Sequence, residues 1–230
     1  IGIVLNLSDE QPASASPADV AAADRADAFG NRWYLDPVFA GAYPGVLLDW
    51  YGKEMCEIRD GDMETISAPI DVFGLNYYSG SSVAANPAGD FLKISSTPLR
   101  DAGSELTDMG WGVWPSGLYR LLMRLKNKYG NPPVIVTENG MANRDSVGPD
   151  GEVDDSPRVD YFARHFAAAG RAIADGSDLR GYTVWSLMDN FEWAQGYSKR
   201  FGIVYTDYKT QARILKKSAK WYARVIADNS

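Results

Sequence analysis

The stretch VIVTENG, residues 134–140, is an apolar β-branched run that ends in a carboxylate, Glu138, followed by Asn-Gly. Such a run predicts a buried β-strand with the acid at its C-terminal end. A second run, GYTVWSL at residues 181–187, is followed by the polar and aromatic cluster MDNFEW at 188–193. Because barrel enzymes carry their chemistry at the C-terminal ends of parallel strands, we expect the two strand ends to form one site.

The rest of the chain repeats a short apolar strand followed by a loop and a helix. Ser16-Pro17 is typical of a helix start, with an N-cap serine and a proline at the first helical position. Strands are predicted near residues 1–6, 70–76, 133–138 and 180–187, and helices near 16–33, 46–55, 118–125, 159–173 and 216–226. Strands that alternate with helices are parallel and joined by crossovers. The fold class is therefore α/β, with four of the eight units of a barrel.

The composition is that of a globular protein and excludes several classes of partner. The 30 acidic and 23 basic residues give a net charge of −7, which opposes association with nucleic acid or an anionic membrane. The single cysteine, Cys56, excludes an intrachain disulfide, and the single histidine, His165, excludes a multi-histidine metal site. We interpret Cys56 as a buried spectator and His165 as a packing residue.

The start of the chain, IGIVL, has neither an initiator methionine nor a signal-peptide pattern. We therefore expect that the chain does not start where its gene starts, and we expect a cytoplasmic location. No stretch approaches the roughly 18 apolar residues that a membrane-spanning helix needs.

Two long loops and one basic cluster are interpreted as surface features. Residues 79–110 and 142–157 follow strands on the face where barrel loops build substrate sites, so we expect them to wall a pocket. The acid-rich second loop lacks the ligand spacing of a calcium loop and is interpreted as solvated. Lys216, Lys217 and Lys220 are interpreted as the solvated face of a helix, which is the usual state of a charge run.

Four motifs in a fixed order carry a resemblance to a known family. FGLNYY at residues 73–78 precedes the two strand-end motifs, and FGIVY at 201–205 follows them. With this order and spacing, the whole chain resembles the C-terminal half of a glycoside hydrolase family 1 β-glucosidase. The resemblance implies a (β/α)8 TIM barrel, in which residues 1–230 are the fifth to eighth units of a single catalytic domain, with no separate second domain. It implies hydrolysis of β-D-glucosides with retention, without a cofactor or a metal.

The resemblance assigns catalytic roles at two strand ends. Glu138 matches the nucleophile, and a carboxylate on a rigid strand end suits attack on an anomeric carbon. Tyr78 matches a tyrosine that donates a hydrogen bond to the nucleophile and stabilises its charged form. Asn76 matches a position near both the sugar and the nucleophile.

The resemblance also assigns a sugar site. Sugars are bound by aromatic faces that stack on C–H surfaces and by charged acceptors for paired hydroxyls. Trp185 and Trp193 match the aromatic members, Glu192 matches the acceptor for the hydroxyls at C4 and C6, and Phe201 matches an apolar wall. Because a carboxylate would repel a 6-phosphate, Glu192 favours an unphosphorylated glucoside.

The leaving-group side of the site is incomplete. Trp111 matches the tryptophan under the leaving group, and Asn6 is expected to line that subsite. The family's acid/base glutamate lies in an Asn-Glu-Pro motif at the end of the fourth strand, and no Asn-Glu-Pro occurs in the 230 residues. A glutamine, a histidine and a second asparagine of the sugar site are missing with it. We therefore expect the N-terminal half of the barrel as a partner, from the same gene or as a separate chain.

Two other interpretations stay open. The chain could be a non-catalytic half-barrel that forms homo-oligomers and at most binds glucosides weakly, because four strands cut from a barrel leave open edges. It could also belong to a thioglucosidase or a broad-specificity β-glycosidase of the same family, because the deciding acid/base residue lies in the missing half. The residues present do not choose between glucose, galactose and fucose, nor do they define the aglycone.

Overall fold

The computed structural model describes residues 1–228. Its strands are β1 (Gly2–Pro12), β2 (Val72–Ala85), β3 (Ile94–Pro98), β4 (Val134–Glu138), β5 (Leu179–Tyr182), β6 (Val204–Thr206) and β7 (Arg213–Leu215). Its α-helices are α1 (Pro17–Asp27), α2 (Trp33–Ala40), α3 (Gly45–Tyr51), α4 (Asp62–Ile66), α5 (Pro115–Lys128), α6 (Ser156–Ala174) and α7 (Lys217–Asp228). A π-helical turn, Ala28–Arg32, joins α1 to α2, and 3₁₀ turns lie at Gly52–Glu54 and Trp193–Gln195.

The central sheet has the strand order β1-β2-β4-β5. Each neighbouring pair in this order is parallel, which confirms the predicted βα arrangement. The last strand is shorter than predicted and ends at Tyr182. Beyond it the chain still runs beside β4, because the Thr183 and Trp185 amides donate to the carbonyls of Val136 and Asn139 at 2.8 Å each.

The two faces of the sheet have different surroundings. One face packs against α2, α5 and α6, where Phe73, Leu75 and Val136 belong to the main hydrophobic core. Gly74 lies on the opposite face, where a Cβ atom would stand 2.6 Å from Cγ2 of Val4 and 3.1 Å from Cγ2 of Thr137. Glycine is required there because neighbouring side chains occupy that space. In a closed barrel this opposite face is the one that turns inward.

The first helix begins where the sequence signal predicts, whereas α2 and α4 were not predicted. Pro17 is the first residue of α1, and the Ser16 hydroxyl accepts a hydrogen bond from the Asp19 amide at 3.1 Å. In α6, His165 is fully buried and stacks on Tyr161 with ring centroids 4.0 Å apart. The interpretation of His165 as a packing residue is confirmed.

The sheet has an extension that the sequence analysis did not predict. β2 continues past the site to Ala85, where its last residues pair with the antiparallel β3. β1 also continues, and its residues Asp9–Pro12 pair with Gly80–Val83. The first long loop therefore starts as a small sheet extension. A second hairpin, β6–β7, follows the site loops.

The interpretation of Cys56 is wrong, and those of the acid-rich loop and the basic cluster are wrong in part. Four of their charged residues are exposed as expected, namely Asp150, Asp154, Lys217 and Lys220. Cys56 is exposed rather than buried. Asp145 and Asp155 in the second long loop are buried, because both pair with the buried Arg158. Lys216 is fully buried, because its ammonium group pairs with the carboxylate of Asp145 and with a second buried carboxylate. Within residues 1–228, no helix is both long enough and apolar enough to cross a membrane.

Candidate active site

A cavity of about 340 Å³ lies at the C-terminal end of β4, beside Asn6 in β1 and Asn76 and Tyr78 in β2, two strands that continue beyond it. Its lining consists of residues that the sequence analysis selected from six separate segments. They are Asn6, Asn76, Tyr78, Trp111, Glu138, Trp185, Glu192, Trp193 and Phe201. The fold thus brings all the selected residues together, because parallel strands end at the same edge of the sheet.

Glu138 is the last residue of β4 and pairs in register with Asn76 after an irregularity in the β2–β4 ladder. The Tyr78 hydroxyl donates a hydrogen bond to Oε2 of Glu138 at 2.7 Å. Burial is the main factor that raises the pKa of Tyr78, and the hydrogen bond to Glu138 raises it further. The phenol therefore keeps its proton, and it can orient the carboxylate throughout the neutral range.

Asn139, the next residue, fixes the end of β4 through hydrogen bonds of its side chain. It is fully buried, and its side-chain amide donates to the Tyr77 carbonyl at 2.7 Å and to the Tyr161 hydroxyl at 2.9 Å. Its side-chain oxygen accepts from the Tyr182 hydroxyl. Sequence reasoning missed this role, because Asn-Gly after a strand is also an ordinary turn signal.

Glu192 and Trp193 lie on the loop that follows β5. Burial, as the largest effect, raises the pKa of Glu192; a hydrogen bond with Trp185 lowers it, and the nearby charge of Glu138 raises it. Oε2 of Glu192 is buried and accepts no hydrogen bond from residues 1–228. Trp193 is 82% exposed and has a positive φ of 41°, a backbone conformation that costs energy in a non-glycine residue and clusters at ligand sites.

An aromatic wall closes one side of the cavity. The ring centroids of Tyr78 and Trp111 are 5.4 Å apart, and Phe201 lies 6.1 Å from Tyr78 and 6.0 Å from Trp111. The Trp111 carbonyl accepts from the Thr107 amide at 2.8 Å. The first long loop therefore supports Trp111, but neither it nor residues 142–157 contributes a lining residue to this cavity, so the expectation that the two loops wall the pocket is wrong.

A larger cavity, of about 550 Å³, lies beneath residues 102–108. Its one cationic lining residue, Arg164, already pairs with Asp101 and Asp160. Within the described part of the chain, the larger cavity therefore offers no free cation to a ligand, and we assign the site to the smaller cavity because of the residues that line it. In the smaller cavity, the carboxylates contributed by residues 1–228 are Glu138 and Glu192. No group of three His, Cys, Asp or Glu side chains in this part of the chain is placed to hold a metal ion.

Parallel βα units with polar and aromatic side chains at their C-terminal strand ends define the (β/α)-barrel class. The family model for glycosyl hydrolase family 1 matches residues 1–230. The chain belongs to this family.

Relatives of the chain agree with this assignment in both sequence and structure. β-Glucosidase A of Acetivibrio thermocellus is 42% identical over 231 residues, covering 100% of this chain and 51% of the relative. A bifunctional β-D-glucosidase/β-D-fucosidase of Bifidobacterium breve is 46% identical, covering 92% of this chain and 49% of the relative. The solved family 1 β-glucosidase of Thermotoga maritima superposes with a TM-score of 0.93 at 44% identity, covering 100% of this chain and 51% of that structure. The chain spans about half the length of the curated relatives it matches.

Proposed function

We propose that the protein containing residues 1–230 is a retaining β-glucosidase that removes terminal, non-reducing β-D-glucosyl residues. The observation that carries this proposal is the hydrogen bond of 2.7 Å from Tyr78 to Glu138, inside a cavity that also holds Glu192 and Trp193. An oriented carboxylate beside a sugar-binding surface is what a double-displacement mechanism requires.

Glu138 acts as the nucleophile. One of its oxygens attacks the anomeric carbon, the glycosidic C–O bond breaks, and a glycosyl ester forms. The departing oxygen takes a proton from an acid, and water then hydrolyses the ester with the same group acting as base. Tyr78 holds the carboxylate in line with the anomeric carbon during attack. Fixing this geometry lowers the activation barrier, because the two reacting groups are already oriented.

Glu192 selects the sugar. Its buried Oε2 accepts no hydrogen bond from residues 1–228, and a buried acceptor of this kind favours a ligand that donates. Paired sugar hydroxyls supply such donors, and Trp193 and Trp185 offer aromatic faces beside them. A carboxylate at this position disfavours a phosphorylated sugar by charge repulsion.

The acid/base group comes from outside these residues. The cavity carboxylates within residues 1–228 are Glu138 and Glu192, and both already have roles. We infer that the first four βα units supply the acid and complete the sugar site, either in the same polypeptide or as a partner. Without them the open edges at β1 and β5 favour pairing between copies of the chain.

The test is active-site labelling with 2-deoxy-2-fluoro-β-D-glucosyl fluoride, followed by peptide mass mapping of the natural protein. Fluoride leaves without a proton, so labelling depends on the nucleophile and not on the acid. We expect one label per active site, on Glu138, and none in Glu138→Gln. Glu105→Gln, a change of the same kind in the larger cavity, is the control and should label normally.

The outcome also decides between catalysis and mere binding. A label on another carboxylate would refute the assignment of Glu138. An unlabelled protein that binds deoxynojirimycin weakly would support a non-catalytic half-barrel instead. Residues 1–230 alone should hydrolyse aryl glucosides only when a fragment with the first four βα units is added.

A further inference from the structure

A cluster of six charged side chains lies buried behind the candidate site. Its members are three acids and three bases: Asp145, Asp155, Arg158, Asp189, Arg200 and Lys216. The side chains of all but Arg200 are 0% exposed, and Arg200 is 17% exposed. None of the six lines the 340 Å³ cavity. Buried ion pairs are weak contributors to stability compared with apolar packing, and their best-attested use is to hold one specific arrangement.

Asp189 closes the base of the loop that carries Glu192 and Trp193. Its Oδ1 accepts from the Gly202 amide at 3.1 Å, and its Oδ2 accepts from the Thr206 amide at 3.3 Å and from Arg200. The carboxylate of Asp189 therefore connects the residue before the segment 190–199 to the residues that follow it. Glu192 and Trp193 lie between these two anchored ends.

Lys216 connects that closure to the loop after the nucleophile strand. Its ammonium group donates to Oδ1 of Asp189 at 2.7 Å and to Oδ2 of Asp145 at 2.6 Å. Arg158 reinforces the connection, because one of its nitrogens donates to Asp145 and to the Arg200 carbonyl, at 2.8 Å each. One cation thus joins the segment that follows Glu138 to the segment that carries Glu192.

We propose that Lys216 is a positioning residue that sets Glu192 relative to Glu138 and thereby sets the preference for sugars with a hydroxymethyl group at C5. This inference rests on the proposed function. Lys216 acts through Asp189 and does not touch the cavity. Its loss should weaken the contact with the C6 hydroxyl more than it weakens the reaction itself.

The experiment compares 4-nitrophenyl β-D-glucoside with 4-nitrophenyl β-D-xyloside, which lacks the hydroxymethyl group, in the natural protein and in Lys216→Met. Rates are expressed per site labelled by the fluorosugar, so that misfolded protein does not count. The matched control is Lys220→Met, four residues later in the chain and inside α7, where the same change removes an exposed pair with Glu152. Asp189→Asn is a second variant that removes the partner charge while keeping the shape of the side chain.

We expect Lys216→Met to lower the ratio of kcat/KM for glucoside over xyloside by about tenfold, on the scale of a weakened hydrogen bond to a charged group. Asp189→Asn should move the ratio in the same direction, and Lys220→Met should leave it unchanged. Equal losses on both substrates, or failure of both variants to give labelled sites, would assign the cluster a structural role only and overturn the proposal. A natural protein without activity on either substrate would instead count against the proposed function.

Discussion

Acid should destabilise the protein between pH 7 and pH 5 through its single histidine. His165 is fully buried in α6, its Nδ1 lies 2.7 Å from the Tyr161 carbonyl, and its Nε2 has no hydrogen-bond partner within residues 1–228. Burial lowers the pKa of His165 from 6.5 to about 3; the bond to the Tyr161 carbonyl opposes this shift, and the charge of Arg164 adds to it.

The sign and size of the effect follow from the two pKa values. The folded protein keeps His165 neutral, whereas the unfolded chain takes up a proton as the pH falls below 6.5. Protonation therefore favours unfolding, so the stability is present above pH 6.5 and is lost as the pH falls toward 3. Each pH unit in this window costs about 1.4 kcal/mol, so lowering the pH from 7 to 5 should cost about 2 kcal/mol.

The assay is urea unfolding of the natural protein and of His165→Asn at pH 7 and pH 5. Asparagine retains a donor for the Tyr161 carbonyl but does not titrate. The natural protein should lose about 2 kcal/mol more than the variant between the two pH values. The pKa values of Glu10 and Glu192 are raised, so these two groups stabilise the folded state as the pH falls. Their contribution is the same in both proteins and cancels when the two losses are subtracted. Equal losses in the two proteins would refute the reasoning.

Other expected outcomes concern the site and one helix cap. Tyr78→Phe should lower kcat by roughly 10- to 100-fold, the worth of a hydrogen bond to a charged group, while Tyr129→Phe, which also removes a tyrosine–carboxylate bond, should leave steady-state kinetics unchanged. Glu192→Ala should cost roughly 2 to 4 kcal/mol of transition-state binding, measured as kcat/KM on an aryl glucoside; a loss below threefold would contradict the role given to this carboxylate. Ser16→Ala should lower the unfolding free energy by about 1 kcal/mol because it removes the α1 cap, and unchanged urea midpoints would show that the cap is not used.

The part of the cavity lining that lies on strands could be predicted from the sequence pattern. Glu138 follows an apolar β-branched run, and a parallel sheet gathers such ends at one edge. Roles beyond this placement came from the motifs of the family, since Trp111 and Phe201 lie on loops that no periodicity describes. The roles of Trp111 and Phe201 in substrate binding come from the family motifs. The structure adds that both residues line the same cavity as Glu138.

The buried charges could not be predicted, because their partners are far away in the sequence. Lys216 looks like the start of an exposed basic face, and Asp145 lies in a loop rich in Pro and Asp; only the fold brings the two together at 2.6 Å. β3 was missed for a local reason. Its sequence, ISSTP at residues 94–98, has no apolar alternation, and its register comes from pairing with β2.

The closure at Asp189 makes the segment 190–199 a separable cassette. Arg200 and the Gly202 amide bind the same carboxylate, so these two anchors lie outside the segment; within it, the pair of Lys199 with Asp108 would have to be kept. An engineer could replace the residues between the anchors, or change their number, while keeping the junction to the barrel intact. New sugar specificities should therefore be easier to graft here than at Glu138, where the functional carboxylate is itself part of the sheet.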